Sequence, residues 1–245
     1  MTARKNDVQA RKDQVLAIVV DEYIKSVSPI GSNLIVERYH LDVSPATVRN
    51  ILADLEEEGF LSHPHTSAGR VPTQSGYRYY VDHLMNEIKI LEEEKMRIER
   101  EYRQSVKELQ GLLEKTSEVL SDLTHYTSIV SIDGSDEKVF CKGLSFVAGY
   151  PEFRSFERIK QILHMLEGKE RILELISREL ERKVDILIGS EIKCEDIDDC
   201  SLVISSYKKK NGPSGRIAVL GPTHMDYERV VSTLEYFSEL MGKIL

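Results

Sequence analysis

Cysteine is scarce in this chain: Cys141, Cys194 and Cys200 are the whole set, and none stands in a CxxC pair. An odd, sparse set argues against both a disulfide framework and a zinc site, and it fits a reducing compartment. No apolar run approaches the roughly 18 residues that a membrane span requires. The opening MTARKNDVQARKDQ is charged and lacks an apolar stretch, so no signal peptide is expected and the expected setting is the cytoplasm. Neither a P-loop nor a GxGxxG run occurs. Positive charge is also in deficit: 33 Lys and Arg stand against 41 Asp and Glu, a net charge of −8. That excludes a globally basic nucleic-acid coat, and any DNA contact must come from a local patch.

What remains is a chain of 245 residues, 41% apolar and 30% charged. That length suits one or two domains, and the apolar share is enough for real cores. Helical periodicity dominates the first third. Val8, Val15, Leu16, Val19, Val20 and Tyr23 make Asp7 to Val27 an amphipathic helix that ends before Ser28-Pro29. Ser32 is the expected N-cap of a short second helix, and His40 to Val43 the turn after it. Ser44-Pro45 then opens a third helix, with Ser at the cap and Pro where its missing N–H costs nothing.

On that third helix Val48, Ile51, Leu52 and Leu55 repeat at i, i+3, i+4, i+7 and face a core. Rotation by about 100° per residue puts Ala46, Asn50, Ala53 and Glu57 opposite, with Thr47 and Arg49 on the flanks. The front of the outward face is therefore small and polar. Asn can bond an adenine edge in two places, and Arg can do so with guanine or hold a phosphate. The acidic run Glu56-Glu57-Glu58 falls at the far end, and Gly59 ends the helix. Phe60 to His63 and Arg70-Val71 read as two wing strands. The polar loop between them would offer His65, Thr66, Ser67 and Arg70 to phosphates or a minor groove. Residues 1–80 thus read as a winged helix-turn-helix. The candidate DNA contacts are Ser44, Ala46, Thr47, Arg49, Asn50, His65, Thr66, Ser67 and Arg70. The same residues hold nine basic and ten acidic side chains, so a protein-assembly module stays open: only the placement of charge favours DNA.

From Leu84 to Leu123 there is no Pro and only Gly111. Leu84, Ile88, Leu91, Lys95, Ile98, Tyr102, Ser105, Leu109, Leu112, Thr116, Val119 and Leu123 alternate four and three apart, a heptad pattern. Residues 81–126 are read as one long helix, either a dimerising coiled coil or a linker packed on its own C-terminal half.

Residues 127–245 change character. Ser128 to Ile132, Val184 to Ile188, Leu202 to Tyr207 and Arg216 to Leu220 read as strands, the last two as a hairpin with a basic tip. Amphipathic helices are expected over Phe156–Leu166, with Phe156 inward, over Arg171–Glu181, and over the C-terminus after a capping box at Thr223–Asp226. Strands and helices in this order make an α+β domain. Nothing here reads as an enzyme: the cysteines lack partners, and His224 stands alone. Glu191, Glu195, Asp196, Asp198 and Asp199 could hold a cation, although a solvated loop is the commoner meaning. No cofactor or metal is expected.

SPATVRNILADLEEEGFLSHPHTSAGRVPT followed by GYRYYVD resembles the N-terminal domain of the HrcA family of bacterial heat-inducible transcription repressors. KGLSFVAGYPEF, LIGSE and IAVLGPTHMDYERVVSTLEYFSEL resemble that family's GAF-like domain. The resemblance implies a repressor of chaperone genes that binds an inverted-repeat operator in double-stranded DNA, with the chaperonin GroEL as a partner. It maps Ser44, Thr47, Arg49 and Asn50 to the recognition helix and His65 to Arg70 to the wing. The family normally carries a longer segment before the KGLS-like stretch, including an inserted dimerising domain. Its absence here makes the 84–123 helix the expected means of forming a homodimer. The alternative is a regulator whose GAF-like half senses a small molecule.

Overall fold

The computed structural model describes residues 2–64, 69–86, 88, 90–105, 109–133, 138–147, 149–150, 155–210 and 212–244. The chain is a mixed helix and sheet protein that divides into two compact units between Asn86 and Glu87.

In the first unit, helices α1 (Thr2–Ser26), α2 (Ser32–Tyr39) and α3 (Pro45–Glu57) precede a two-stranded antiparallel hairpin, β1 (Leu61–Ser62) and β2 (Val71–Pro72). Arg70 extends the hairpin by one bridge to Ile30, in the segment between α1 and α2. Helix α4 (Gln74–Tyr79) follows and runs into a single π turn, Tyr80–Leu84. The core is the apolar stripe of α1 (Val15, Leu16, Val19, Val20) against Ile35, Val48, Leu52, Leu55 and Leu61.

Acidic side chains of α1 fasten its neighbours. Asp13 accepts from the Tyr79 hydroxyl at 3.0 Å and Asp21 from that of Tyr80 at 2.8 Å. Glu22 accepts from Tyr39 at 2.8 Å and pairs with Arg38. Ser32 is not the cap of α2: Gly31 takes that place and makes no side-chain cap bond. Gly31 is extended (φ −99°, ψ 156°), and Ser32 is already helical.

In the second unit, five antiparallel strands run in the order β4 (Lys138–Lys142), β3 (Thr127–Ile132), β7 (Ser214–Pro222), β6 (Cys200–Lys208), β5 (Val184–Ile188). Helices α6 (Leu109–Thr124) and α10 (Tyr227–Ile244) cover one face. The short α7 (Leu144–Val147), α8 (Phe156–Glu167) and α9 (Lys169–Ile176) cover the other. The strands alternate accordingly: Leu202, Ile204, Ala218 and Leu220 meet α8 and α9, and Ser128 meets α6 through Ser117 at 2.8 Å.

The expected rod from Leu84 to Leu123 does not form. Met85 is extended, and helix resumes only at α5 (Glu92–Ser105). On α10, Tyr236 reaches the Lys95 carbonyl at 3.3 Å and Met241 meets Thr116 at 3.2 Å. Those two α10 residues lie about 7.5 Å apart along their helix, whereas Lys95 and Thr116 would lie about 31 Å apart on one straight helix. Helices α5 and α6 therefore pack on each other and on their own domain. Leu112, Thr116, Val119 and Leu123, expected in a coiled-coil seam, are buried inside the second unit. The four-three spacing fits an intramolecular amphipathic face as well as a dimer seam, and the sheet won the competition.

Three smaller expectations also change. Phe156 is 80% exposed at the first position of α8 rather than inward. Helix α9 stops at Ile176, short of Glu181. The cap of α10 is Asp226, whose carboxylate accepts from the Arg229 N–H at 3.1 Å, and not a box starting at Thr223.

Candidate nucleic-acid interface

Helix α3 is built as its residues require. Ser44 is extended (φ −71°, ψ 154°) and its Oγ accepts from the Thr47 N–H at 3.1 Å, with Pro45 at the first helical position. Val48, Leu52 and Leu55 are buried. Ser44, Ala46, Arg49, Asn50 and Ala53 are exposed, and Thr47 is half-buried with its hydroxyl 3.0 Å from that of Ser44. Among the described residues, Arg49 and Asn50 make no side-chain hydrogen bond or ion pair.

Three of the four acids at the far end of the same helix are committed, and Glu57, on the outward face, stays exposed. Lys12 of α1 reaches Glu58 at 2.7 Å and Asp54 at 3.1 Å. Hydrogen bonds from Lys12 to Glu58 and Asp54 hold its ammonium above the ordinary lysine range. Glu56 pairs with Arg70 at 2.8 Å. These carboxylates are held against the body of the unit, so an anion approaching the front of α3 does not meet them as free charges. Lys12 was not singled out in the sequence, yet a signal exists: Asp54 and Glu58 stand at i, i+4 and share one side of the helix, where a single cation can span them.

Arg70 departs from expectation. Its side chain is only 14% exposed, bonded to Glu56, with Nε buried. It does not reach outward as a phosphate ligand would. His65, Thr66 and Ser67 lie outside the described residues. Tyr77, Tyr79 and Tyr80 of the GYRYY run are structural: Tyr77 and Tyr80 are buried, and Tyr79 bonds Asp13.

The second unit offers less chemistry. The space between the sheet and α8 and α9 is filled by Val147, Ile162, Met165, Ile172, Ile176 and Ile197 with the strand residues. The acidic loop is tied by arginine: Arg158 Nε donates to Asp199 at 2.9 Å, its Nη2 to Asp199 and Asp198 at 2.5 and 2.7 Å, and Arg171 reaches Asp196 at 3.3 Å. Glu191 accepts from the Ile188 N–H at 2.9 Å. The reading as a merely solvated loop is therefore incomplete, because three of its five acids fasten α8 and α9. Replacing Arg158 with Met is expected to cost about 1 kcal/mol, the value of a partly screened bidentate pair, read as a lower denaturation midpoint; an unchanged midpoint would show the pairs to be idle. Burial pushes the Cys141 thiol up to about 11 and that of Cys200 well above its ordinary value, so neither is poised as a nucleophile. No helix among the described residues is long and apolar enough to cross a membrane.

Residues 130–231 match the model of the HrcA protein C-terminal domain. The heat-inducible transcription repressor HrcA of Carboxydothermus hydrogenoformans is 30% identical over an alignment that takes in 97% of this chain and 98% of that protein. The chain belongs to the HrcA family. The HrcA repressor of Pelotomaculum thermopropionicum is likewise 30% identical, with 96% of each chain covered. These HrcA alignments run over 336 and 334 residues, although this chain has 245. Its HrcA relatives thus carry a substantial stretch that has no counterpart here. A crystal structure titled as a hypothetical protein at 2.2 Å resolution is similar in fold, with a TM-score of 0.73 at 17% identity, covering 95% of this chain and 97% of that one. HrcA membership, with family members named as transcription repressors, also places the chain among non-enzymatic regulators.

Proposed function

We propose that this protein is a heat-inducible transcription repressor. It reads duplex DNA with the front of α3, and residues 1–80 act as a winged helix-turn-helix. The observation that carries the reading is the split of α3 into two ends. Arg49 and Asn50 are exposed and uncommitted among small neighbours, while Asp54, Glu56 and Glu58 behind them are tied to Lys12 and Arg70, which leaves Glu57 as the exposed acid at the far end of that face. Helix order and the hairpin after α3 support the winged form, and the layered sheet of the second unit supports a GAF-like domain. Two copies on an inverted repeat would place their α3 helices in major grooves about 34 Å apart, with loops 65–68 against flanking backbone. Such a protein acts in the cytoplasm, where the chromosome is. GroEL enters through the family likeness alone, and its addition to the binding assay is the test of that part.

The experiment is selection of the full-length protein on a random duplex library, followed by competition binding. An enriched inverted repeat, bound with a steep salt dependence, is the expected outcome. Asn50→Ala and Arg49→Ala should each lose about tenfold in discrimination against a mismatched site, the scale of one base-edge contact. Full discrimination in both variants removes α3 as the reader. No enriched sequence at all removes the proposal and favours an assembly module.

A further inference from the structure

The motif HTSAGRVPT contains one strong cation, Arg70, and its place in a wing invites the role of phosphate ligand. The side chain is turned the other way. It lies 14% exposed, with Nη2 at 2.8 Å from Glu56 on the last turn of α3 and Nε buried without a hydrogen-bond partner among the described residues. Its backbone is fixed as well: Arg70 N donates to the Ile30 carbonyl at 2.9 Å, and Ile30 N donates to the Arg70 carbonyl at 2.8 Å. Gly69 makes that bridge feasible. A Cβ at Gly69 would stand 2.7 Å from the Pro29 carbonyl carbon and 2.9 Å from the Ile30 nitrogen. Backbone cannot yield cheaply at such distances, so only glycine fits.

We infer that Arg70 is a positioning residue, which holds the return strand of the wing at a set place against α3 through Glu56. This rests on the DNA-binding reading above. Gly69 and Arg70 open the described return of the wing, and the joint connects them to the helix that carries Arg49 and Asn50. Glu56 then has a role too: it neutralises a cation that is largely out of water, and losing either partner leaves a poorly solvated charge or a free strand.

The test uses the full-length protein and the duplex selected above, with affinity measured across a salt series. Variants are Arg70→Met, Glu56→Gln, the two combined, and the exchanged pair Arg70→Glu with Glu56→Arg. Arg70→Met is expected to weaken binding about tenfold, with the slope of log affinity against log salt unchanged. Glu56→Gln should weaken it to a similar extent, the double variant should be no worse than either single one, and the exchanged pair should recover part of the loss. A phosphate ligand gives a different pattern. Its loss flattens the slope by about one, and Glu56→Gln, which removes a negative charge near DNA, binds as well as or better than the parent. Either of those results overturns the inference, as does unchanged affinity in Arg70→Met. If Arg70→Met does not fold, the sign of the Glu56→Gln effect alone decides. Failure of the parent protein to bind any selected duplex is distinguishable from all of these and removes the DNA reading itself.

Discussion

Gly215→Ala is expected to destabilise the second unit by about 3 kcal/mol or more, the range of overpacked cores with a displaced side chain and a lost hydrogen bond. Gly215 lies on β7 directly opposite Tyr207 of β6. The Tyr207 ring crosses above it, 2% exposed, and its hydroxyl donates to the Ser131 carbonyl on β3 at 2.7 Å. A Cβ at position 215 would stand 2.0 Å from that carbonyl oxygen and 2.5 Å from the Tyr207 hydroxyl. Neither neighbour is free to move. The carbonyl belongs to a central strand, buried throughout, and the ring is among the largest fully buried side chains of the chain. Alanine would force the ring off its bond, leaving Ser131 O without that donor and Tyr207 without its site. Chemical denaturation of the full-length protein reads this as a lower midpoint, and a midpoint equal to the parent's contradicts the packing described.

The second large effect is expected at Glu22. This carboxylate is 3% exposed on α1, where it accepts from Tyr39, pairs with Arg38 and lies 3.7 Å from Lys25. Burial pushes its pKa up, but the Tyr39 hydrogen bond and the Arg38 charge outweigh burial and hold it below the ordinary value of 4.5. Glu22→Ala leaves a half-buried phenol without its acceptor. The expected loss is about 2 kcal/mol, a charged hydrogen bond discounted because Arg38 is well solvated. The pH dependence has a definite sign. A carboxyl whose folded pKa is lowered contributes stability that is present above its unfolded pKa and is lost as pH falls through the folded one. The parent's first unit should therefore lose stability below about pH 4.5, and Glu22→Gln should show a shallower loss over that window. Parallel acid titrations of parent and variant, followed by circular dichroism, check this; identical acid limbs would mean the interactions do not favour the ionised form.

Local rules carried far wherever a few residues decide the structure. The start of α3 follows from Ser44-Pro45, its inward stripe from spacing, and the outward position of Arg49 and Asn50 from rotation alone. Four of the five strands of the second unit (β3, β5, β6 and β7) and the β6–β7 hairpin were legible from apolar runs bounded by turn residues. The failures share a physical cause. Periodicity says that a face is apolar but not what covers it, so the heptad run over α6 left a dimer seam and an intramolecular face both open, and its own domain takes it. Phe156 read as inward because its spacing matched Ile159 and Leu163, yet the first helical position lies beyond the edge of the layer. Arg70 read as a phosphate ligand from its place in the wing, and its carboxylate partner stands fourteen positions away on another element. The tyrosines of GYRYY carried the family likeness, and only the fold reveals that Tyr79 and Tyr80 serve as hydroxyl donors to the acids of α1.

The anchoring of α3 also governs its rotation about its own axis. Asp54 and Glu58 lie on one side of the helix, where Lys12 holds both, and Glu56 lies about 200° around, where Arg70 holds it. An apolar stripe alone resists roll weakly, since aliphatic contacts have no direction; ion pairs from two cations on opposite sides resist it in both senses. A roll of about 10° would carry a side-chain tip at about 5–6 Å from the axis through about 1 Å. The whole range of good hydrogen-bond lengths spans about 0.5 Å. If the front of α3 reads base edges, its accuracy is set at the opposite end of the helix, by two cations that need never touch DNA.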